Sequence, residues 1–162
     1  MIAASIMTTG LFTLGPDDKV EKALAILGKK RVRVVPVVDG DNRLLGVVTS
    51  QGLLKSMLPS YIASGLLKDV SFAPDLPDFF KKIKKLSGEL VLNHMTDDYY
   101  AVAPDAHTME LARVFASAEP AVESILVLDD QKRVLGIIAP WDIFKRICKY
   151  EEEDSKGARK RR

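Results

Sequence analysis

One cysteine, Cys148, stands in a chain of 162 residues, so no internal disulfide can close. Only two histidines, His94 and His107, accompany it, too few nitrogen and sulfur ligands for a structural zinc cluster. No apolar run approaches the roughly 18 residues that a membrane-spanning helix needs. Met1 to Met7 carries no basic residue of the kind that opens a secretory leader. Charge of one sign is also lacking: 24 Lys and Arg face 22 Asp and Glu, for a net +2, which gives no global pull toward nucleic acid or a membrane surface. There is no phosphate-cradling glycine loop, no dinucleotide fingerprint, and no clustered Ser/His/Asp or Cys/His set. His94 and His107 have no evident catalytic partner in the sequence. These absences lead to the expectation of a non-enzymatic, soluble, cytoplasmic protein with no metal and no required cofactor.

What is present is a repeat. Val34-Val35-Pro36-Val37-Val38-Asp39 reads as an apolar strand, and the turn-rich Asp39-Gly40-Asp41-Asn42 leads into a second strand ending Gly46-Val47-Val48-Thr49. Asp39, Arg43, Leu45 and Gly46 recur ninety positions later as Asp129, Arg133, Leu135 and Gly136, within Ile125-Leu126-Val127-Leu128 and Gly136-Ile137-Ile138. A period that long is one folded unit written twice.

Each copy reads as strand, helix, strand, strand, helix. In copy one, Leu11 to Leu14 is a strand candidate stopped by Gly15-Pro16. Asp18 and Glu21 have capping-box spacing. Val20, Ala23, Leu24 and Leu27 share one helix face, and Gly28 is the expected helix end. A second helix starts near Ser50 and stops before Pro59. In copy two, Tyr99 to Ala103 takes the place of the opening strand, eighty-eight positions on. The helix after it carries Met109, Ala112 and Ala116 on one face, with Leu111, Val114 and Phe115 beside it. The cap there is His107, or Thr108 one residue later. The closing helix begins near Pro140 and carries Ile143, Phe144, Ile147 and Cys148 at core-like spacing, with Cys148 read as a small buried hydrophobe.

The expected organisation is 1–58 for repeat 1, 59–90 for an insert, 91–149 for repeat 2 and 150–162 for a charged, frayed tail. Ser60, Gly65, Pro74 and Pro77 mark breaks in the insert. An amphipathic helix is expected near 77–87, with Phe79, Phe80, Ile83 and Leu86 as its apolar stripe. Lys81, Lys82, Lys84 and Lys85 lie opposite. Such a helix is either laid over the module with its lysines in water or free to meet an acidic partner or membrane surface.

The ordered set of Met-Thr, strand, Pro-Asp, alanine-bearing helix, Pro-Val-Val-Asp and Gly-x-x-Thr, written twice, resembles the CBS domain, named for cystathionine β-synthase. Two copies resemble a CBS pair, or Bateman module. The resemblance implies an α+β (mixed α/β) fold of tandem CBS domains, packed sheet to sheet with pseudo-twofold symmetry, and a homodimer of such pairs. It also implies a sensor for adenosine-containing ligands such as AMP, ADP, ATP, NAD(H) or S-adenosylmethionine.

The family's ligand motif, Gly-x-x-Thr/Ser-x-x-Asp, is split between the copies. Gly46-Val47-Val48-Thr49-Ser50-Gln51-Gly52 keeps Thr49 but has glycine where the carboxylate belongs. Gly136-Ile137-Ile138-Ala139-Pro140-Trp141-Asp142 keeps Asp142 but has alanine in place of the hydroxyl. A hydroxyl and amides at a helix start suit a phosphate; a carboxylate one turn on suits ribose hydroxyls. Loss of such a charge-assisted bond is worth about 1.5–3 kcal/mol. The copy-two site, with Trp141 as a stacking surface and Pro140 lacking an N–H, is expected to suit a nucleoside-like group better than a polyphosphate. In copy one, Arg31 and Arg33 alternate onto one side of their strand, where they face either a phosphate or solvent. By family position Thr13 and Tyr100-Ala101 would line the base pockets, with Val34 and Leu126 behind.

Two other readings stand beside the sensor. One is a ligand-free CBS pair serving as a dimerisation or partner-docking element for an unknown regulated protein. The other, disfavoured by the charge balance, is a nucleic-acid-associated protein using the lysine helix and the basic residues Lys156, Arg159, Lys160, Arg161 and Arg162.

Overall fold

The computed structural model describes residues 1–65 and 76–160. Pro74, Arg161 and Arg162 lie outside the described residues. Two compact units are present. A continuous unit holds Phe12–Tyr99, and a split unit holds Met1–Leu11 together with Tyr100–Arg162.

The continuous unit contains α1 (Val20–Lys30), β1 (Val34–Val38), β2 (Leu44–Thr49), α2 (Ser50–Met57), α3 (Ser60–Ala63), α4 (Leu76–Ser87) and a 3-10 turn at Val91–Asn93. β1 and β2 are antiparallel, with Val34 opposite Thr49 and Val37 opposite Gly46. The turn between them is built by Asp39, whose Oδ1 accepts from the N–H groups of Asp41 and Arg43 at 2.9 Å each. Asn42 takes the left-handed conformation there, with φ 62°. Val35, Val37 and Val48 turn inward to meet Leu14, Val20, Ala23, Leu53, Met57, Leu86 and Val91. Each such apolar side chain contributes about 1.5–3 kcal/mol when fully buried. α4 packs against α1 and α2 through Phe79, Ile83 and Leu86. Its four lysines are exposed, and Lys82 Nζ donates to the Leu58 carbonyl at 2.7 Å.

The split unit contains a 3-10 turn at Ala3–Ser5, β3 (Tyr100–Val102), α5 (Thr108–Ser117), β4 (Ile125–Leu128), β5 (Val134–Ile138) and α6 (Pro140–Lys160). Its sheet runs β3-β4-β5, the first pair parallel and the second antiparallel. Ala3, Leu111, Ile125, Val127, Ile138 and Ile143 form the core. Asp129 repeats the turn of Asp39, accepting from the N–H groups of Gln131 and Arg133, and its Oδ2 also holds Arg133 Nε at 2.7 Å.

The units divide the chain differently from the sequence copies. The opening residues of copy one lie on the body of copy two: Ala3 N–H donates to Ala106 O, and Thr8 pairs with Ile137. The opening residues of copy two do the same on copy one: Val91 N–H donates to Asp18 O, and Thr96 pairs with Val47. Gly46 and Gly136 make room for this pairing. A Cβ on Gly136 would stand 2.8 Å from Thr8 O and 2.7 Å from Met7 Sδ; one on Gly46 would stand 2.9 Å from Thr96 O.

Several local expectations are corrected. The strand expected at Leu11 to Leu14 is reduced to a single bridge, Leu14 with Val37. Leu14 N–H donates to Pro36 O and Val38 N–H donates to Leu14 O. The next rung would need an N–H from Pro36, which has none; Leu126, at the equivalent place beside β3, has one. Asp18 does not cap α1. The cap position is Lys19, and Asp18 Oδ2 instead closes onto Gly15 N–H and Lys22 Nζ, both at 2.7 Å. The first amide of α1, Val20 N–H, is taken by Glu89 O. Gly28 lies within α1, and the left-handed residue after it is Arg31, φ 53°. On α5 the buried residues are Thr108 and Leu111, with Ala112, Val114 and Phe115 against the core, whereas Met109 is exposed. Cys148 is exposed and unpaired. Of the α6 residues expected at core positions only Ile143 is buried, whereas Ile147, Phe144 and Cys148 are exposed. Phe144 and Cys148 turn some 100° or more away from Ile143 at the helical 3.6-residue repeat, and Ile147, one turn on, runs past the end of the core. The α6 backbone spans Pro140–Lys160.

Candidate functional site

Both candidate sites sit where the last strand of a copy runs into its last helix. In the continuous unit, Arg33, Val34 and Thr49 come together there. Val34 faces Thr49 across the β1–β2 pair, and the Arg33 carbonyl accepts the Ser50 N–H at 2.9 Å. Thr49 is the N-cap of α2, its Oγ1 accepting from Gly52 N–H at 2.9 Å. Arg33 is exposed, and Val34, Thr49 and Thr13 are half-buried. Thr13 precedes Leu14, whose bridge is to Val37, and so stands level with Pro36, two rows from the Val34–Thr49 pair.

In the split unit, Tyr100, Ile125 and Ile138 form one row across the sheet. Ala139 and Asp142 follow Ile138 directly, so Tyr100 and Asp142 occupy the same end of the sheet. Ala101 and Leu126 form the next row. Leu126 is buried, Ala101 and Trp141 are exposed, and Tyr100 is partly open. Asp142 is half-buried, and its Oδ2 accepts the Ala139 N–H at 2.8 Å.

The two contacts are the complementary halves of one capping box. Thr49 supplies the half in which the cap side chain accepts from the third helical amide. Asp142 supplies the half in which the third residue reaches back to the cap amide. Thr49 and Asp142 thus hold their helices as well as facing the site. In each copy one amide at the helix start is already occupied, which lowers the number of donors open to a phosphate. Asp142 Oδ1 lies beside this contact as a second acceptor. Gly52 has little room for the missing carboxylate, since a Cβ there would stand 3.0 Å from Thr49 Oγ1.

One residue was passed over in the sequence. Phe12 precedes Tyr100 by eighty-eight positions, the spacing of the repeat's opening segments, and is exposed, with Lys30 Nζ 4.9 Å from its ring centroid. An aromatic at the same place in both copies was the available signal. His94 also has partners that its sequence neighbours did not reveal. Its Nε2 lies 2.6 Å from Glu89 Oε2 and its Nδ1 3.5 Å from Ser56 Oγ, and that hydroxyl donates to Gly52 O. This string fastens α2 to the segment that follows α4. Among the described residues there is no cluster of three or more metal-ligating side chains and no helix long and apolar enough to cross a membrane.

A family model described as CBS domain matches residues 3–59 and 88–149. An inosine-5'-monophosphate dehydrogenase from Methanocaldococcus jannaschii is 27% identical over 157 residues, which cover 96% of this chain and 25% of that protein. The chain thus spans about a quarter of that enzyme's length, and 22% of a second such dehydrogenase, from Aquifex aeolicus. A CBS domain-containing protein from Dictyostelium discoideum is 26% identical over 156 residues, covering 94% of each chain. In fold, the chain is similar to CBSX2 of Arabidopsis thaliana in complex with AMP, with a TM-score of 0.69, 22% identity, and coverage of 93% of this chain and 98% of that one.

Proposed function

The chain belongs to the CBS domain family, and on that premise we propose that it is a non-enzymatic regulatory module that binds an adenosine-containing ligand. Asp142 carries this reading. Its Oδ2 is fixed on the Ala139 amide, which orients Oδ1 to accept from a ribose hydroxyl. Trp141 and Tyr100 offer aromatic surface at the same end of the sheet, and Tyr100, Ala101, Leu126, Trp141 and Asp142 make up this site. Pro140 removes a donor, so the proposed preference is for AMP or another nucleoside-like group over a polyphosphate. Thr13, Arg33, Val34 and Thr49, with Phe12 added, make up a second and weaker site, because Gly52 lacks the carboxylate.

The module is further proposed to act as a homodimer on a regulated protein partner. Trp141, Phe144 and Cys148 lie on one side of α6, and Trp141 and Phe144 are 60% and 64% exposed. Leu54 on α2 is exposed in the same way, and apolar surface of this kind favours association. The proposed setting is the cytoplasm, a reducing compartment that suits a lone exposed thiol.

Calorimetry and thermal shift with AMP, ADP, ATP, NADH and S-adenosylmethionine test the ligand reading. A ligand at a hundred times its Kd adds about 2.7 kcal/mol of stability, and Asp142→Asn should weaken it about ten- to a hundredfold. No response to any member of the panel, from a protein that still self-associates, would sink the sensor reading in favour of a dimerisation or docking element.

A further inference from the structure

The two copies differ at one surface where their symmetry predicts likeness. In the continuous unit, Met57 on α2 is covered by α4 and is 9% exposed, in the same cluster as Leu86. Beside it Ser56, His94 and Glu89 are hydrogen-bonded together. The corresponding residues of the split unit are Ile147, Arg146, Ile6 and Met1. Ile147 is 45% exposed. What stands there is an apolar groove of about 600 Å³ lined by Met1, Ile2, Ser5, Arg146, Ile147 and Tyr150.

The groove continues the core. Ile143 is buried in the split unit, and Ile147 and Tyr150 follow it along the same side of α6 at the helical repeat. It is also separate from the side that bears Trp141, Phe144 and Cys148. Arg146 is the one charged side chain among the lining residues, and it replaces a serine that is hydrogen-bonded in the other copy. An occupant with a carboxylate opposite Arg146 would complete that position, and an apolar stripe would cover Ile147 and Tyr150.

We propose that this groove is a docking site for an amphipathic helix of a partner protein, seated on α6 as α4 is seated on α2, with a carboxylate meeting Arg146. The α4 stripe of Phe79, Ile83 and Leu86 gives the spacing the partner helix should show, an i, i+4, i+7 pattern that enters a groove from one face.

The test uses the full chain and two fluorescent helical peptides with that stripe. One carries glutamate and the other lysine at the flanking position facing Arg146. The glutamate peptide should bind with rising anisotropy. Ile147→Asp and, separately, Tyr150→Glu should each weaken it at least about tenfold, while the circular-dichroism melt stays near that of the parent. Arg146→Glu should move the preference to the lysine peptide. Equal binding of both peptides, or binding untouched by Ile147→Asp and Tyr150→Glu, would overturn the proposal. So would a dimer in light scattering that Ile147→Asp turns to monomer with no peptide bound, since the groove would then serve self-association.

Discussion

Thr108→Val should make the protein more stable. Thr108 opens α5 and is 6% exposed, and among the described residues its Oγ1 has no hydrogen-bond partner. The equivalent residue of copy one is Val20, the first residue of α1 and fully buried. The backbones match as well: Val20 N–H donates to Glu89 O at 2.9 Å and Thr108 N–H to Met1 O at 3.1 Å. A buried hydroxyl without a partner costs about 1–3 kcal/mol, whereas an apolar group of the same shape avoids that cost. Valine fills the volume of threonine, so no cavity opens. The expected gain is about 1–2 kcal/mol. Urea denaturation followed by circular dichroism reads it as a midpoint rise of about 0.5–1 M at unchanged slope. The reciprocal change, Val20→Thr, should lose about 1–3 kcal/mol by burying a hydroxyl where none now lies. A midpoint that falls or stays put in Thr108→Val would mean that the hydroxyl is satisfied, and the unpartnered-group reasoning would fail.

Gly136→Ala should cost about 1–3 kcal/mol, since the new Cβ would meet Thr8 O at 2.8 Å and the backbone on one side or the other must yield; hydrogen exchange should show the Thr8 and Ile137 amides losing protection first. Thr49→Ala removes the N-cap of α2 and should cost about 0.5–2 kcal/mol, whereas Ala139→Ser should complete the capping box of α6 and raise the urea midpoint. Asp18 and Asp129 both have carboxyl pKa values below the ordinary range, Asp18 chiefly through its hydrogen bond with Lys22 and Asp129 chiefly through the Arg133 backbone amide. A depressed folded-state pKa contributes stability that is full above the unfolded carboxylate value near 4 and fades as pH falls through the folded one. Denaturation at pH 6 and pH 3 should therefore show a smaller loss in Asp129→Asn than in the parent, and an identical loss would remove Asp129 from the acid response.

The sequence alone determined the duplicated unit, the hairpins at Asp39 and Asp129, α1, α2 and three of the four stripe residues on α4, because each follows from local periodicity and turn chemistry. Phe80, expected in that stripe, is 59% exposed, since it stands about 100° round the helix from Phe79. It also located the split motif of Thr49 and Asp142, although not that both residues cap their helices, since hydrogen-bond partners depend on where a side chain turns. The side of α6 that Cys148 faces needed the packed core to decide it, as a 3.6-residue repeat leaves neighbouring apolar residues some 100° apart. Only the tertiary structure decided which body each opening segment joins. Ile2 pairs with His107 and Leu90 with Lys19, and each segment meets an equivalent backbone in the other copy. The two copies offer nearly the same donors, acceptors and apolar neighbours, so local chemistry fits either pairing. Choosing between them depends on chain connectivity and on the whole fold closing at once, which no local stretch of sequence records.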